Sequence, residues 1–433
     1  SVPAAVVNSP TLMWPSRHVV RRLWHTQAPG ASLPRRWYAS ARHKRHLWRW
    51  GASEGTDAPE PSRKPQLIPQ ATGVTAAACG PSHSAFVVDG RLFTYGSNRH
   101  SKLGRQGQAL EREPGEVALE APDGHHPIPE LIALGGDHSA VISDGGVLWT
   151  WGYGGSFWYG SGALGLGKRS DVSSPEMVMS FVNHGVEVEQ VACGDRHTIL
   201  LDREGRVHST GQGSYGRLGR GGMASFGDEL DFHELLFFKK TTDSVLCPGE
   251  EPVIVKVDAG RMFCAAMSSH GEIWVWGRND YGQLGLGFEV MKHRDFHVKY
   301  PFLIRNLPME GHILRDFACG DRHIVAVTTA GSIYEWGERQ YFEPTAITLP
   351  SRYQDGLQGI WKVAAGEGCS FALAMDGSLY SWGHKSSGCL ALGDSCEDFV
   401  QRPVQIRPEV FDNQRVVDIM ASHRRCMAIT EEV

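Results

Sequence analysis

The chain has 433 residues, 41% of them hydrophobic and 21% charged, with 51 glycines and 13 tryptophans, a profile that favours many short strands over long helices. No apolar run approaches the roughly 18 residues that a membrane-spanning helix needs, and the nine cysteines are scattered without a CxxC pair, which reads as reduced core thiols and excludes a disulfide framework. The net charge of -5 is unevenly spread: nine of the 43 Lys and Arg and none of the 48 Asp and Glu fall in residues 1–50, so a segment of +9 precedes a body of -14.

The basic segment comes first. Over residues 1–45, Arg17, Arg21, Arg22, Arg35, Arg36, Arg42, Lys44 and Arg45 alternate with Ser, Ala and the aromatic Trp24 and Trp37, without one acid. This is the composition of a mitochondrial transit segment, and a chain opening on Ser1 fits a processed precursor and an incomplete sequence equally well. Such an arm does not order itself in isolation. Cations interleaved with Trp suit either RNA phosphates and bases or an acidic protein groove. The expected division is a basic extension over 1–45 and a folded body over 46–433.

From residue 46 onward one unit recurs. A Trp-Gly pair stands at Trp50-Gly51, Trp151-Gly152, Trp276-Gly277, Trp336-Gly337 and Trp382-Gly383, with Tyr95-Gly96 and Thr210-Gly211 as variants. A second pair, a small residue before Gly, appears at Cys79-Gly80, Gly135-Gly136, Cys193-Gly194, Ala259-Gly260, Cys319-Gly320 and Ala365-Gly366, and weakly at Ala421-Ser422. Three residues after that Gly stands His83, His197 or His323, and two after Gly136 stands His138; Phe263, Cys369 and Arg425 hold that place in the other copies. A short apolar strand and a turn such as Glu204-Gly205 separate the two pairs. The tryptophan series averages about 55 residues per interval, blade-sized for a radial array of four-stranded sheets.

The series of Cys-Gly, His, Asp-Gly, Trp-Gly and Gly-Gln-Leu-Gly, the last seen at Gly282-Gln283-Leu284-Gly285, resembles the regulator of chromosome condensation repeat over roughly residues 46–430. The resemblance implies an all-β, seven-bladed propeller. A Trp-Asp propeller would show Trp-Asp at about 40–45 residues, and no such series is present. The small-Gly series begins at Cys79 and the Trp-Gly series earlier, at Trp50, so residues 416–430 and 46–51 are expected to share one blade and close the ring, removing exposed strand edges. The blade of Trp336 lacks the glycine-rich loop. Residues 221–252 form an insertion, read from its leading acids and trailing lysines as a short helix or protruding hairpin packed on the ring.

Enzyme motifs dissolve under scrutiny. Gly162 to Lys168 imitates a P-loop, but Arg169 takes the Ser or Thr place; Gly211 to Gly216 imitates a dinucleotide fingerprint without a βαβ context. His83, His138, His197 and His323 occupy equivalent places in separate blades, where a metal cannot gather them, and are expected to bond within or between blades. Trp50, Trp151, Trp276, Trp336 and Trp382 are expected to pack between blades, each indole N–H seeking an acceptor. No catalytic residue, metal or cofactor is assigned. The resulting reading is a non-catalytic scaffold of a large assembly in the mitochondrial matrix, a ribonucleoprotein such as the mitoribosome or an assembly intermediate, with protein partners and rRNA reached through the arm. The family resemblance keeps one alternative of another class, guanine-nucleotide exchange on a small GTPase; an accessory subunit of a respiratory-chain complex is a further one.

Overall fold

The computed structural model describes residues 44–432 apart from 53–61, 157–159, 222–226, 242, 246–248, 289–296, 306, 308–312, 350–358, 386–387 and 395. Seven four-stranded antiparallel sheets form a closed ring. From the axis outward, blade 1 consists of Val74–Cys79, His83–Val88, Arg91–Ser97 and Leu110–Val117, and blade 2 of Pro129–Leu134, His138–Ser143, Val147–Gly152 and Val172–Met177. Blade 3 is built from Val188–Cys193, His197–Asp202, Val207–Gly211 and Glu229–Glu234, blade 4 from Ile254–Ala259, Phe263–Ser268, Ile273–Arg278 and His297–Leu303. Blade 5 follows with Leu314–Cys319, His323–Thr328, Ile333–Gly337 and Tyr341–Ile347, and blade 6 with Ile360–Ala365, Cys369–Ala374, Leu379–His384 and Phe399–Gln405. Blade 7 takes Arg415–Ser422 and Arg425–Glu431 from the end of the chain, then Arg45–Gly51 and Ser62–Leu67 from its beginning.

The second strand of blades 1 to 6 is buried at all six positions, because a neighbouring blade covers each of its faces. Such strands read as continuous apolar runs in the sequence, without alternation. The Gly of the Trp-Gly pair closes the third strand in a conformation only glycine enters freely: Gly152 has φ +108, and a Cβ there would stand 2.6 Å from the carbonyl oxygen of Asp137.

Ring closure follows the phase offset of the two repeat series. Arg45 to Gly51 pair antiparallel, residue by residue, with Glu431 to Arg425. The boundary corrects the arm at its root. Arg45, grouped with the free basic residues, is the first residue of this strand, and its Nε donates to Glu431 Oε1 at 2.8 Å; directly opposite an acid, it serves the sheet. Lys44 is exposed, and its carbonyl accepts from the N–H of Glu432 at 3.1 Å.

Residues 221–252 also differ from expectation. Glu229–Glu234 is the outer strand of blade 3, paired with Val207–Gly211, and Leu236–Lys239 forms a 3-10 turn. Glu229-Leu230-Asp231-Phe232 alternates polar and apolar, the period of a strand, and that alternation outweighs the charge order that argued for a helix. The turn is packed on the ring: Phe237 and Phe238 meet Trp274 edge-on at centroid distances of 5.7 and 5.9 Å.

The seven inner strands line a central channel of about 520 Å³. Polar side chains just past the register shift of successive inner strands tie neighbours together. Gln190 donates to the carbonyl of Val255 at 2.7 Å, Lys256 pairs with Asp316, and Lys362 pairs with Asp418; Asp316 also accepts from the N–H of Val363 at 3.0 Å. Ala76 and Leu131 fill the same position in blades 1 and 2, so the charged belt spans only part of the wall.

Candidate interaction face and channel mouth

The histidines and tryptophans of the repeat meet at the seams between blades. His83 Nε2 lies 2.8 Å from Ser139 Oγ in the next blade, His138 Nε2 lies 2.9 Å from Thr198 Oγ1, His197 Nε2 lies 3.2 Å from Cys264 Sγ, and His323 Nε2 lies 3.0 Å from Ser370 Oγ. The hydroxyls of Ser139 and Thr198 donate onward to the carbonyls of Lys102 and Ala163. Their protons are therefore spent, and each histidine must be the donor, carrying its proton on Nε2. Burial pulls His83 and His197 well below the usual imidazole range and His138 down to about 4, so all three are neutral donors.

The same loop carbonyls receive the tryptophans. Trp151 Nε1 donates to Lys102 O at 2.9 Å, Trp276 Nε1 to Arg217 O at 3.0 Å, and Trp50 Nε1 to Cys389 O. Each acceptor lies two residues before the end of the glycine-rich loop of the preceding blade. A hydroxyl in the blade's own third strand fixes that loop: Thr94, Thr150, Ser209 and Ser381 donate to Leu103, Leu164, Leu218 and Leu390. The P-loop imitation at 162–168 is one of these loops.

Blade 5 has no such loop, and Gly337 turns directly into Tyr341–Ile347 through Glu338 and Arg339, both in left-handed backbone. Glu335 replaces the missing carbonyl. Its carboxylate accepts from Trp382 Nε1 at 2.9 Å and from Ser370 Oγ at 2.6 Å, so one side chain performs the task of a loop. Substitutions at the histidine place are matched likewise. Phe263 shares a core cluster with Ile324, which stands where other blades keep a hydroxyl, and Cys369 meets Cys426. Sequence reading marked Phe263 and Cys369 as departures but missed their partners. The signal was available as covariation between the first position of one second strand and the second position of the next.

The described loops that join third to fourth strands, and the turns that join first to second strands, emerge on one face. Tyr153 carries Arg196 of the next blade 5.5 Å from its ring centre, Tyr215 carries Arg278 at 4.8 Å, and Tyr281 carries Arg322 at 4.4 Å and Arg339 at 4.6 Å. Tyr215 (φ 64) and His100 (φ 57) hold left-handed backbone without being glycine, local strain that the surrounding stacks sustain. At the channel mouth on this face, His423 Nδ1 lies 2.7 Å from Asp321 and its Nε2 3.4 Å from Glu367, which also accepts from Arg424 Nε at 2.6 Å. Burial lowers His423, but the Asp321 bond and the two carboxylates outweigh it and hold the imidazole above its ordinary range. Across the mouth Lys102 is buried with its Nζ bonded to Ser82 Oγ, Gly136 O and Asp137. What this face offers is a rigid mosaic of guanidinium, phenol and carboxylate groups.

A family model described as an RCC1-like domain matches residues 46–428. The chain belongs to this family. The RCC1-like propeller is 29% identical to the ultraviolet-B receptor UVR8 of Arabidopsis thaliana over 83% of this chain and 75% of that protein. It is 25% identical to the human regulator of chromosome condensation over 86% of each. It is 31% identical to the human E3 ubiquitin-protein ligase HERC2 over 74% of this chain, a stretch covering 6% of that ligase. Among solved structures, Prp20p of Saccharomyces cerevisiae, described with its binding to Gsp1p and histones, superposes with a TM-score of 0.74 at 20% identity, covering 91% of this chain and 93% of that one. Human WBSCR16 gives 0.71 at 20% identity, covering 90% and 98%.

The expected binding residues of the arm are not brought to this face by anything described: Arg17, Arg21, Arg22, Trp24, Arg35, Arg36, Trp37 and Arg42 lie outside the described residues. No described helix is long and apolar enough to cross a membrane.

Proposed function

We propose that this RCC1-like propeller is a protein-binding scaffold of a large mitochondrial assembly, a ribonucleoprotein, in which the stacked face docks proteins and the basic arm reaches RNA. The observation that supports it most is the face itself. Its arginines are held by tyrosines of the adjacent blade, so they meet a partner without first losing side-chain freedom, and planar guanidinium groups backed by aromatic rings are favoured at protein interfaces. The charge of +9 over residues 1–50, eight of its cations in the arm, on an acidic body supports the RNA contact and the mitochondrial address.

The test exchanges Arg21, Arg22, Arg35 and Arg36 for Gln in the full chain and follows co-sedimentation with mitochondrial ribonucleoprotein particles, with and without RNase. The variant should detach while its melting temperature stays at the parent value. RNA affinity of the parent should fall with salt by about 0.7 log units per log unit of salt for each phosphate contact, and the variant should show a shallower slope. Retention of the Gln variant at moderate salt, together with loss of a Trp24→Ala/Trp37→Ala variant, would replace RNA by a protein groove. A saturable acceleration of nucleotide release from a small GTPase would overturn the scaffold reading in favour of exchange.

A further inference from the structure

At the seam between blades 6 and 7 the repeat's histidine and hydroxyl are both replaced by cysteine. Cys369 opens the second strand of blade 6, Cys426 is the second residue of the matching strand in blade 7, and Cys389 lies on the glycine-rich loop of blade 6 that receives Trp50. The three sulfurs lie within 4.8 Å of one another, and all three residues are fully buried, none in a disulfide. We propose that Cys369, Cys389 and Cys426 form a binding site for one soft d10 cation, with Cu(I) the better fit and Zn(II) the alternative ion.

Softness and coordination number argue for the assignment. A ligand set of sulfur alone selects Cu(I) or Zn(II) over hard cations. At a metal–sulfur distance of about 2.3 Å, three sulfurs around one ion stand about 4 Å apart, so a small contraction completes the site. Among the described residues no fourth His, Cys or carboxylate joins the group, and three ligands in a dry pocket suit Cu(I) better than tetrahedral Zn(II). Positive charge is at hand to offset an anionic thiolate complex: the Arg424 guanidinium is close enough to Cys389 to interact with it electrostatically.

Without an ion Cys369 and Cys426 are thiols. The Cys389 hydrogen bond and burial raise Cys369, and burial raises Cys426, both well above the usual thiol range. Each sulfur that coordinates must release its proton to solvent, so affinity tightens as pH rises.

The experiment uses the full chain, reduced and freed of metal under anaerobic conditions, titrated with Cu(I) and separately with Zn(II) against a chromophoric chelator. One Cu(I) per chain should bind, more tightly at pH 8 than at pH 6. The discriminating variant is Cys369→His/Cys426→Ser, which rebuilds the His323 and Ser370 pairing found at the preceding seam and so keeps the fold while removing two of the three sulfur ligands and engaging the new imidazole in a hydrogen bond. Its affinity should fall by at least about 100-fold with an unchanged circular dichroism spectrum, whereas Cys193→Ser, outside the cluster, should bind as the parent does. Zn(II) held with the same dependence on the double variant would support the site and reassign its ion. Binding of neither ion, or binding that survives the double variant, would overturn the proposal.

Discussion

Replacing Glu335 by Ala removes one carboxylate and leaves two buried donors, Trp382 Nε1 and Ser370 Oγ, without their acceptor. A buried donor left unsatisfied costs about 1–3 kcal/mol, and the loss here is of bonds to a charged group, so the pair together with the vacated volume should cost about 3–5 kcal/mol. Glu335→Gln is the informative contrast. Its amide oxygen can still accept from Trp382, and its NH2 can donate to Ser370 once that hydroxyl turns to donate to His323 and the imidazole moves its proton to Nδ1. That rearrangement keeps both bonds but places an N–H on the buried His323 Nδ1, which has no partner, so the cost should be about 1–2 kcal/mol, below that of Ala. Urea unfolding at pH 7.5, followed by circular dichroism, reads both. If Glu335→Ala lies within about 1 kcal/mol of the parent, or if Gln costs as much as Ala, the carboxylate does not stand in for the missing loop and the reasoning fails.

Three further outcomes are expected. His138, held near 4 by burial, binds a proton more readily unfolded than folded, so its contribution is complete above the ordinary value of 6.5 and is lost as pH falls from there towards 4, by about 3 kcal/mol in total. His83 and His197 add in the same direction, while the raised His423 acts oppositely, stabilising at low pH and losing its contribution as pH rises through its folded value; a urea-midpoint series between pH 7.5 and 4.5 should decline steeply in the parent and less steeply in His138→Asn. Deleting residues 1–51 removes the strand that pairs with Arg425–Glu431 along with the buried Trp48 and Trp50, and should cost at least about 5 kcal/mol and open a dimerising edge, visible in light scattering; a stable monomer would contradict the closure. Exchanging Arg196 and Arg322, both half-buried, for Gln should abolish protein docking on the stacked face at a stability cost of about 0.5–1 kcal/mol for each lost cation–π contact; unchanged recovery of partners would move the interface elsewhere.

The ring was readable because its signals are repeated: seven Trp-Gly variants and seven small-Gly variants give blade number and phase without any single motif deciding. The outer strand of blade 3 was not, since Glu229–Glu234 carries its alternation inside a charged stretch that also fits a helix turn. The seams were half legible. A histidine at a fixed place announces a structural bond, but its acceptor lies 47 to 67 residues further on, and only the folded chain shows that Ile324 answers Phe263, Cys426 answers Cys369 and Glu335 answers an absent loop. The stacked face was invisible for a related reason: Tyr281 and Arg322 belong to different blades, and neither residue type is unusual where it stands.

Blade 7 also sets the order of assembly. Arg45–Gly51 leaves the ribosome before any other strand of the ring, yet its pairing partner Arg425–Glu431 is made after all the others, so the clasp stays open until the whole propeller has been synthesised. Six blades can condense from neighbours in sequence, each hairpin closing over a few residues, whereas the seventh must bring together segments some 380 residues apart. The final, slow phase of folding is therefore the locking of this one sheet, and the interval before it is when an unpaired strand is exposed to chaperones, to aggregation, or to exchange with the corresponding strand of a second chain.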